Sequence, residues 1–227
     1  AKKNKKKNLL TYDAINKILI KNKILAPKLI SQNYKKNYIE IQDLGNENIC
    51  QILKKKKINN YFIMKKAINV LSDIQLIKDK KIKNFKNKYS KINNYDNKIL
   101  FNEAKLFCEW YIPNQISKKE NKEFNSNFKR EIKFLISKLN FQNQTFVHRD
   151  FHVSNLMYLN RNIGIIDSQD ALIGNKAYDV ASLVDDVRIR TSNTFKKKIY
   201  NYYLSINGDI KSKKFKNDFE ILSVLRN

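Results

Sequence analysis

The amino-acid sequence predicts an α+β fold, with a small N-terminal part at residues 1–45 and a mainly helical part at residues 46–227. Apolar residues recur at helical spacing over most of the chain, and short apolar runs bounded by turn residues are confined to two regions. Hydrophobic residues make up 42% of the 227 residues, enough for a sizeable core. The sequence is expected to be a fragment, because it opens with Ala1 and stops within a helical pattern.

The N-terminal part contains one predicted helix and two predicted strands. Residues 1–7 are a basic stretch for which no structure is predicted. Leu and Ile recur at helical spacing over residues 8–24, and Pro27 ends this helix. Residues 28–33 and 38–42 are the predicted strands, and a turn follows them.

The remaining chain is predicted to be helical around a central group of strands. Residues 46–80 and an amphipathic segment at 98–111 are predicted helices, joined by a polar, mobile connection at 81–97. A further helix is predicted over 127–139, and the chain after Asn175 is helical in pattern. The predicted strands between these last regions are residues 145–147, 156–159 and 163–166, the last two forming a hairpin.

The chain is strongly basic, with 46 Lys and Arg residues against 21 Asp and Glu and a net charge of +25. Such an excess is typical of proteins that bind nucleic acid or anionic membranes. Only six of the basic residues are Arg, however, while Lys, Asn and Ile are abundant and Gly and Pro are rare. This pattern favours a compositional bias in the coding DNA, and nucleic acid is not the expected partner.

Cysteine usage and hydropathy point to the cytoplasm as the expected location. No run of about 18 apolar residues is present, so no transmembrane helix is predicted. No apolar segment follows the first residues, so no signal peptide is expected. Cys50 and Cys108 are far apart and lack the spacing of metal ligands, which is typical of a reducing compartment.

Residues 141–190 depart from the composition of the rest of the chain. This window holds six Asp residues against five basic ones, although the whole chain is basic. It also holds both histidines and two of the four glycines. Acidic residues that persist in a Lys-rich sequence indicate a functional site in this window.

The window contains the residue pattern that phosphoryl transfer requires. Asp150 follows His148 and Arg149, Asn155 comes five positions later, and Asp167 comes after the predicted hairpin. A carboxylate such as Asp150 accepts the proton of an attacking hydroxyl. The amide oxygen of Asn155 and the carboxylate of Asp167 are the hard ligands that Mg²⁺ prefers. The spacing therefore predicts a catalytic base and two metal ligands.

Other interpretations of these residues remain open from the sequence. His148 and His152, with Asp150, have a spacing that zinc ligands share on a helix. The acidic residues can also serve turns, helix caps or a solvated face. This second interpretation applies to Asp170 as a turn residue, Asp179 as a helix cap, and Asp185 and Asp186 as a solvated face.

The run HRDFHVSNL at 148–156 resembles the catalytic loop of aminoglycoside phosphotransferase-like kinases, which share the protein-kinase fold and act on small molecules. Protein kinases usually carry Lys where this chain has His152. Three further segments resemble runs of bacterial N-acetylmuramate/N-acetylglucosamine anomeric kinases, so the likeness extends from about residue 9 to the end. These segments are 38–45, similar to the hinge "LLEDLG", 95–111, similar to "YD…E…LF..WY", and 164–183, similar to "DFQDA…G…YDLxSL".

The resemblance implies a protein-kinase-like two-lobed fold, with an incomplete N-terminal lobe at 1–45 and a catalytic lobe at 46–227. It implies ATP and Mg²⁺ as cofactors. The implied reaction moves the γ-phosphoryl group to an amino-sugar anomeric hydroxyl in cell-wall sugar recycling. Another small alcohol or an aminoglycoside is an alternative acceptor, and a pseudokinase or basic binding module is the non-catalytic alternative.

The resemblance also assigns roles to residues outside the metal site. Backbone groups of Gln42 and Leu44 would contact the adenine of ATP. His148 and Asp179 would brace the catalytic loop. Asp150, the implied base, and the metal ligands predicted from the spacing keep their roles.

Three features leave the family comparison open. Glu103 and Trp110 match positions that belong to the sugar side, but Trp on an amphipathic helix is more often part of the core. Ser168 stands where the family usually has Phe, which predicts looser packing behind the metal ligand. The phosphate-covering loop and its strand Lys should precede the first helix, and the residues before Asn8 do not provide them.

Overall fold

Residues 2–55, 58–208 and 213–226 are described by the structure, a computed structural model. In these ranges the chain forms eight α-helices and eight β-strands, as the predicted α+β class requires. The helices are α1 (Lys2–Lys21), α2 (Ile49–Lys55), α3 (Asn60–Gln75), α4 (Asn97–Ala104), α5 (Lys118–Ser137), α6 (Ala177–Val184), α7 (Asn193–Ile206) and α8 (Lys213–Arg226). The strands are β1 (Leu29–Asn33), β2 (Tyr38–Ile41), β3 (Lys81–Lys83), β4 (Tyr89–Lys91), β5 (Thr145–Val147), β6 (Leu156–Leu159), β7 (Asn162–Ile165) and β8 (Leu172–Gly174).

Antiparallel strand pairing brings together the loops that carry the predicted site. β6 and β7 form the predicted hairpin, with Leu156 opposite Ile165, so the residues before β6 and after β7 are neighbours. β5 pairs with β8, and Val147 lies opposite Leu172. The loop that follows β5 and the loop that precedes β8 therefore leave this strand pair at the same end.

The helix α1 starts earlier and ends earlier than predicted. It begins at Lys2, so the prediction of no structure for residues 1–7 is wrong for residues 2–7. It ends at Lys21, and Lys23 then adopts a left-handed φ of 62° that reverses the chain. The two strands predicted after this helix are confirmed as β1 and β2.

The prediction of a mobile connection over 81–97 is wrong, because this segment contains the β3–β4 hairpin. Ile82 lies opposite Ser90, and Ile92 is buried in the core. The buried Asn84 donates a hydrogen bond from Nδ2 to the Ser90 hydroxyl at 3.0 Å. Lysines occupy three of the four exposed positions of the two strands, and Tyr89 occupies the fourth, which hides the alternating pattern in the sequence.

The helix predicted over 98–111 is split in two. α4 forms its first part, and Phe107–Tyr111 then forms a single π-helical turn. A short 3-10 turn containing Pro113 follows. Trp110 lies on the π-helical turn and is 76% exposed, so its interpretation as a core residue is wrong.

Helix caps explain two other differences from the predicted bounds. α5 starts well before the predicted 127–139 helix, because Ser117 and Glu120 form a capping box that stabilises an earlier N-terminus. The chain after Asn175 is not one helical run but three helices. Ser192 starts the second of them, α7, by accepting a hydrogen bond from a backbone amide of its first turn.

The short helix α6 lies at the centre of the core. All eight of its residues are buried, and it packs against α7 and α8. Buried apolar residues of α1, α3 and the β5, β6 and β7 strands continue the same core. Within the described ranges, every helix is too short or too polar to cross a membrane.

Candidate active site

The predicted catalytic loop, residues 148–156, begins where β5 ends, and a buried carboxylate of α6 holds its first turn. Asp179 accepts hydrogen bonds from the backbone N–H of His148 at 2.6 Å and of Arg149 at 3.0 Å. Arg149 has a left-handed φ of 74°, which turns the chain sharply before Asp150. The Asp179 side chain therefore binds the catalytic loop, and the helix-cap interpretation of this residue is not supported.

Burial changes the proton affinity of both groups behind the loop. His148 and Asp179 are completely buried. Burial lowers the pKa of His148 to about 4 and raises the pKa of Asp179 to about 7. His148 is therefore neutral at physiological pH, and it lies behind the loop rather than in the cleft.

The loop leaves the carboxylate of Asp150 free and fixes the side chain of Asn155. Asp150 is half-buried, and none of the described residues hydrogen-bonds its carboxylate. Its backbone carbonyl accepts hydrogen bonds from His152 N–H at 3.0 Å and from Asn155 Nδ2 at 3.1 Å. Because its nitrogen is held by the loop, Asn155 has its amide oxygen available for another ligand.

The β6–β7 hairpin brings Asp167 next to Asn155. The backbone N–H of Ile166 donates to the Asn155 carbonyl at 3.1 Å. Asp167 follows with a left-handed φ of 63° and an exposed carboxylate, one oxygen of which accepts a hydrogen bond from Gln169. Asn155 and Asp167 line the same cleft of about 710 Å³, whereas Asp150 stands outside its lining.

The donor atoms in this cleft suit Mg²⁺ better than zinc. Mg²⁺ is typically held by one or two protein oxygens together with water and phosphate oxygens, and Asn155 and Asp167 provide one amide oxygen and one carboxylate. In the part of the chain that the structure describes, no three His, Cys, Asp or Glu residues are grouped as metal ligands. The zinc interpretation of His148, His152 and Asp150 is therefore not supported.

The segment after β2 forms the opposite wall of the cleft. The backbone N–H of Gln42 donates to the Lys28 carbonyl at 2.8 Å. The Gln42 carbonyl and the Leu44 N–H make no hydrogen bond with a described residue, and both residues line the cleft. An acceptor and a donor two residues apart match the hydrogen-bonding edge of adenine.

The hinge, residues 42–45 of the opposite wall, packs directly against the β6–β7 hairpin. Gly164 of β7 lies so close to Leu44 that a Cβ atom there would stand 2.7 Å from Leu44 Cδ1. The backbone of Tyr158 in β6 donates to the Glu47 carbonyl at 2.8 Å. The two walls of the cleft are therefore packed against each other at its base.

Ser168 connects the loop that carries Asp167 to α1. This fully buried residue donates a hydrogen bond to Asn16 Oδ1 at 2.6 Å, and Asn16 Nδ2 donates to the Pro27 carbonyl at 3.1 Å. The looser packing behind Asp167 stays a prediction, and the Ser168 hydroxyl ties this loop to the neighbouring helix by a hydrogen bond.

Arg149 joins the catalytic loop to α4. Its guanidinium forms an ion pair with Glu103 and donates to the Asp170 carbonyl at 3.0 Å. The hydroxyl of Tyr95 donates to the other Glu103 oxygen. Both oxygens of Glu103 thus have protein partners, and this residue ties α4 to the loop.

Two buried acidic residues near the loop are not identified by the sequence reasoning. Asp186 accepts a hydrogen bond from the Val153 N–H at 2.9 Å and is only 4% exposed, so its interpretation as a solvated face is wrong. Asp218 of α8 accepts from the backbone N–H groups of Asn140 and Phe141, both at 2.9 Å, and from Asn175. An acidic residue on the apolar stripe of α8 is the sequence signal for this second group.

The α+β fold, with the HRD loop after β5, is the fold seen in small-molecule phosphotransferases. The model of the Phosphotransferase enzyme family matches residues 65–212, and the chain belongs to this family. The predicted resemblance to the aminoglycoside phosphotransferase-like kinases is thereby confirmed.

Among curated relatives, the chain is 28% identical over 161 residues to N-acetylmuramate/N-acetylglucosamine kinase of Pseudomonas aeruginosa, covering 71% of this chain and 44% of that protein. It is 26% identical over 179 residues to the enzyme of the same name from Pseudomonas putida, covering 79% and 50%. The chain therefore spans about half the length of the curated relatives it matches.

Solved structures show the same fold. Choline kinase from Cryptosporidium parvum Iowa II superposes with a TM-score of 0.62 at 14% identity, covering 93% of this chain and 67% of that one. Aminoglycoside-3'-phosphotransferase of type VIII superposes with a TM-score of 0.59 at 10% identity, covering 93% and 77%. These similarities confirm the predicted protein-kinase-like fold class.

Proposed function

We propose that the protein transfers the γ-phosphoryl group of ATP to the anomeric hydroxyl of an amino sugar in cell-wall sugar recycling. The observation that carries the proposal is that Asn155 and Asp167 line one cleft. Asp150 is on the same loop as Asn155, and its carboxylate forms no hydrogen bond with a described residue. Residues 1–45 and 46–227 act as the two lobes around the nucleotide. The partner is a small molecule rather than nucleic acid, and the location is cytoplasmic.

Each predicted site residue has a part in this reaction. The Gln42 carbonyl and the Leu44 N–H bind the edge of adenine and set the position of the nucleotide. Asn155 and Asp167 hold Mg²⁺, which neutralises charge on the phosphate oxygens when it is bound. Asp150 accepts the proton of the acceptor hydroxyl as this oxygen attacks the phosphorus. His148 and Asp179 keep the loop in place behind Asp150.

The amino-sugar acceptor is supported by the two relatives from Pseudomonas, whose names give N-acetylmuramate and N-acetylglucosamine as their substrates. The densest likeness to these enzymes lies in the catalytic loop and the hairpin that follows it. An aminoglycoside is a polycation, and the Lys-rich composition of the helical part outside the 141–190 window does not favour its binding.

The test uses ³¹P NMR of the full-length protein with Mg-ATP and each of N-acetylmuramate, N-acetylglucosamine, kanamycin and choline. We expect a new sugar-phosphate resonance with the amino sugars. The Asp150→Asn variant should lose at least about a hundredfold in kcat and still bind ATP. Asp185→Asn, which changes a carboxylate ion-paired with Lys196, is the matched control. Unchanged turnover in Asp150→Asn would contradict the role of this residue.

A further inference from the structure

A separate cavity of about 310 Å³ opens between α2, the start of α3 and the segment that joins α6 to α7. Its polar lining is basic or neutral, with no acidic residue among the described side chains that form it. These polar residues are Lys54, Asn60, Arg188, Arg190 and Thr191. The cavity is therefore a positively charged compartment outside the nucleotide cleft.

Both walls of the cavity are fixed to the catalytic loop at one residue. The N–H of Cys50 in α2 donates to the Val153 carbonyl at 3.1 Å. The carboxylate of Asp186, at the start of the α6–α7 segment, accepts from the Val153 N–H at 2.9 Å. Val153 is three residues after Asp150, so their backbones are at most about 10 Å apart. The walls of the cavity are therefore attached to the loop close to Asp150.

The cations of the cavity are arranged for an incoming anion. Arg188 uses one nitrogen to bind the buried Asp186 at 3.2 Å, which orients its guanidinium. Arg190 and Lys54 form no ion pair with a described residue. The Thr191 hydroxyl is buried and has no hydrogen-bond partner among the described residues. The structure thus leaves two charges and a buried polar atom for a ligand.

The residue type indicates which anion fits. The chain has 46 basic residues and only six are Arg, yet two of the six line this one small cavity. The planar guanidinium binds a carboxylate with two parallel hydrogen bonds, which Lys does not do. The positive ends of α3 and α7, which begin at the cavity, add to its attraction for an anion.

We propose that this cavity binds a carboxylate carried by the acceptor, while the reacting hydroxyl lies at Asp150. This inference rests on the proposed function and narrows its substrate class to sugar acids. Arg190 contacts the carboxylate directly, and Lys54 and Thr191 complete its binding. Neutral amino sugars of the same ring then react with a lower kcat/KM, because the cavity gives them no partner.

N-acetylmuramate and N-acetylglucosamine provide a matched pair of acceptors, because they share one ring and only the first carries a carboxylate. We expect a higher kcat/KM for N-acetylmuramate in the wild type. Arg190→Gln should lower this value about tenfold and change the value for N-acetylglucosamine less than about twofold. Arg190→Lys should restore part of the difference. Arg130→Gln, on the exposed face of α5, is the control and should change neither value.

Each other outcome separates the two proposals. If both sugars lose activity equally in Arg190→Gln, or if the wild type does not distinguish them, the carboxylate site is refuted and the proposed function stands. If the wild type phosphorylates neither sugar, the proposed function and this inference both fail. Because Arg190 is exposed, its replacement is not expected to prevent folding, and equal urea midpoints for wild type and variant verify this.

Discussion

The carboxylate of Asp179 lies 2.6 Å from the backbone nitrogen of His148, although the two residues are 31 positions apart in the chain. Both side chains are completely buried, and burial moves their pKa values in opposite directions, because it disfavours the charged form of each. The folded chain keeps a proton on Asp179 that the unfolded chain releases, so the contribution of Asp179 to the free energy of unfolding falls as pH rises toward 7. The unfolded chain binds a proton at His148 that the folded chain does not, so the contribution of His148 falls as pH falls toward 4. Their effects on stability therefore oppose each other in the acid range.

A variant of His148 separates these two effects. Between about pH 6.5 and 4 the unfolded chain binds a proton at His148 that the folded chain does not. His148→Phe has no such group, so its unfolded chain binds no proton at this position. The free energy of unfolding of the wild type minus that of the variant should therefore rise by up to about 3 kcal/mol from pH 4 to 6.5. Urea unfolding across this range measures it, and a flat difference would contradict the lowered pKa.

The metal-ligand assignment predicts a specific defect in Asp167→Asn. Removal of the only negative charge of the proposed ligand pair should raise the Mg²⁺ concentration for half-maximal activity at least about tenfold. The affinity for ATP without metal should stay the same, because Asp167 does not touch adenine in the proposed complex. Asp185→Asn is again the matched control. An unchanged Mg²⁺ requirement would remove Asp167 from the metal site.

Gly164 predicts a link between packing and nucleotide affinity. Ala at this position brings its Cβ to 2.7 Å from Leu44 Cδ1 and 3.2 Å from Leu25 Cγ, so the Leu44 side chain has to move and the Leu25 side chain has to give by a few tenths of an ångström. We expect a loss of about 1–3 kcal/mol in stability and a rise in KM for ATP that exceeds the rise for the acceptor. Gly208→Ala is the control, because no atom lies within 4 Å of the added Cβ. Equal effects on both KM values would argue against this role of the hinge contact.

Ser168→Ala should lower the free energy of unfolding, because it removes a hydrogen bond between α1 and the loop that carries Asp167. The substitution leaves Asn16 Oδ1 buried without the hydroxyl that donates to it, at a cost of about 1–3 kcal/mol. Thermal unfolding measures this loss. Ser205→Ala removes a hydroxyl whose hydrogen bond is exposed on α7, and it should change stability by less than about 0.5 kcal/mol. An equal loss of stability in Ser168→Ala and Ser205→Ala would show that the buried hydrogen bond stabilises the protein no more than the exposed one.

The central part of the site can be predicted from the sequence because its chemistry is local. Asp150 and Asn155 share one loop, and a short hairpin brings Asp167 back to it, so the spacing alone describes their meeting. The same holds for β1, β2 and the β6–β7 hairpin, which short-range patterns specify.

Burial of acidic residues is not predictable in this way, because it depends on distant partners. Asp186 has an exposed Arg two positions later and looks like a surface residue, yet the amide of Val153 holds it in the core. The exposure of Trp110 follows from the π-helical turn that carries it, and no periodic pattern indicates such a turn. The β3–β4 hairpin is hidden by lysines on its exposed face.

The hydrogen bonds of Asp218 can form only late in the synthesis of the chain. Asn140 and Phe141 precede β5. Their backbone N–H groups donate to a carboxylate that lies about 78 positions later in the chain. At about 5–20 residues per second, a ribosome needs roughly 4 to 16 s to make that stretch. Asp150, Asn155 and Asp167, the residues proposed for chemistry, are all synthesised within this interval, before Asp218 can accept hydrogen bonds from the backbone that precedes them. Until then, only water can accept the hydrogen bonds of the Asn140 and Phe141 backbone N–H groups.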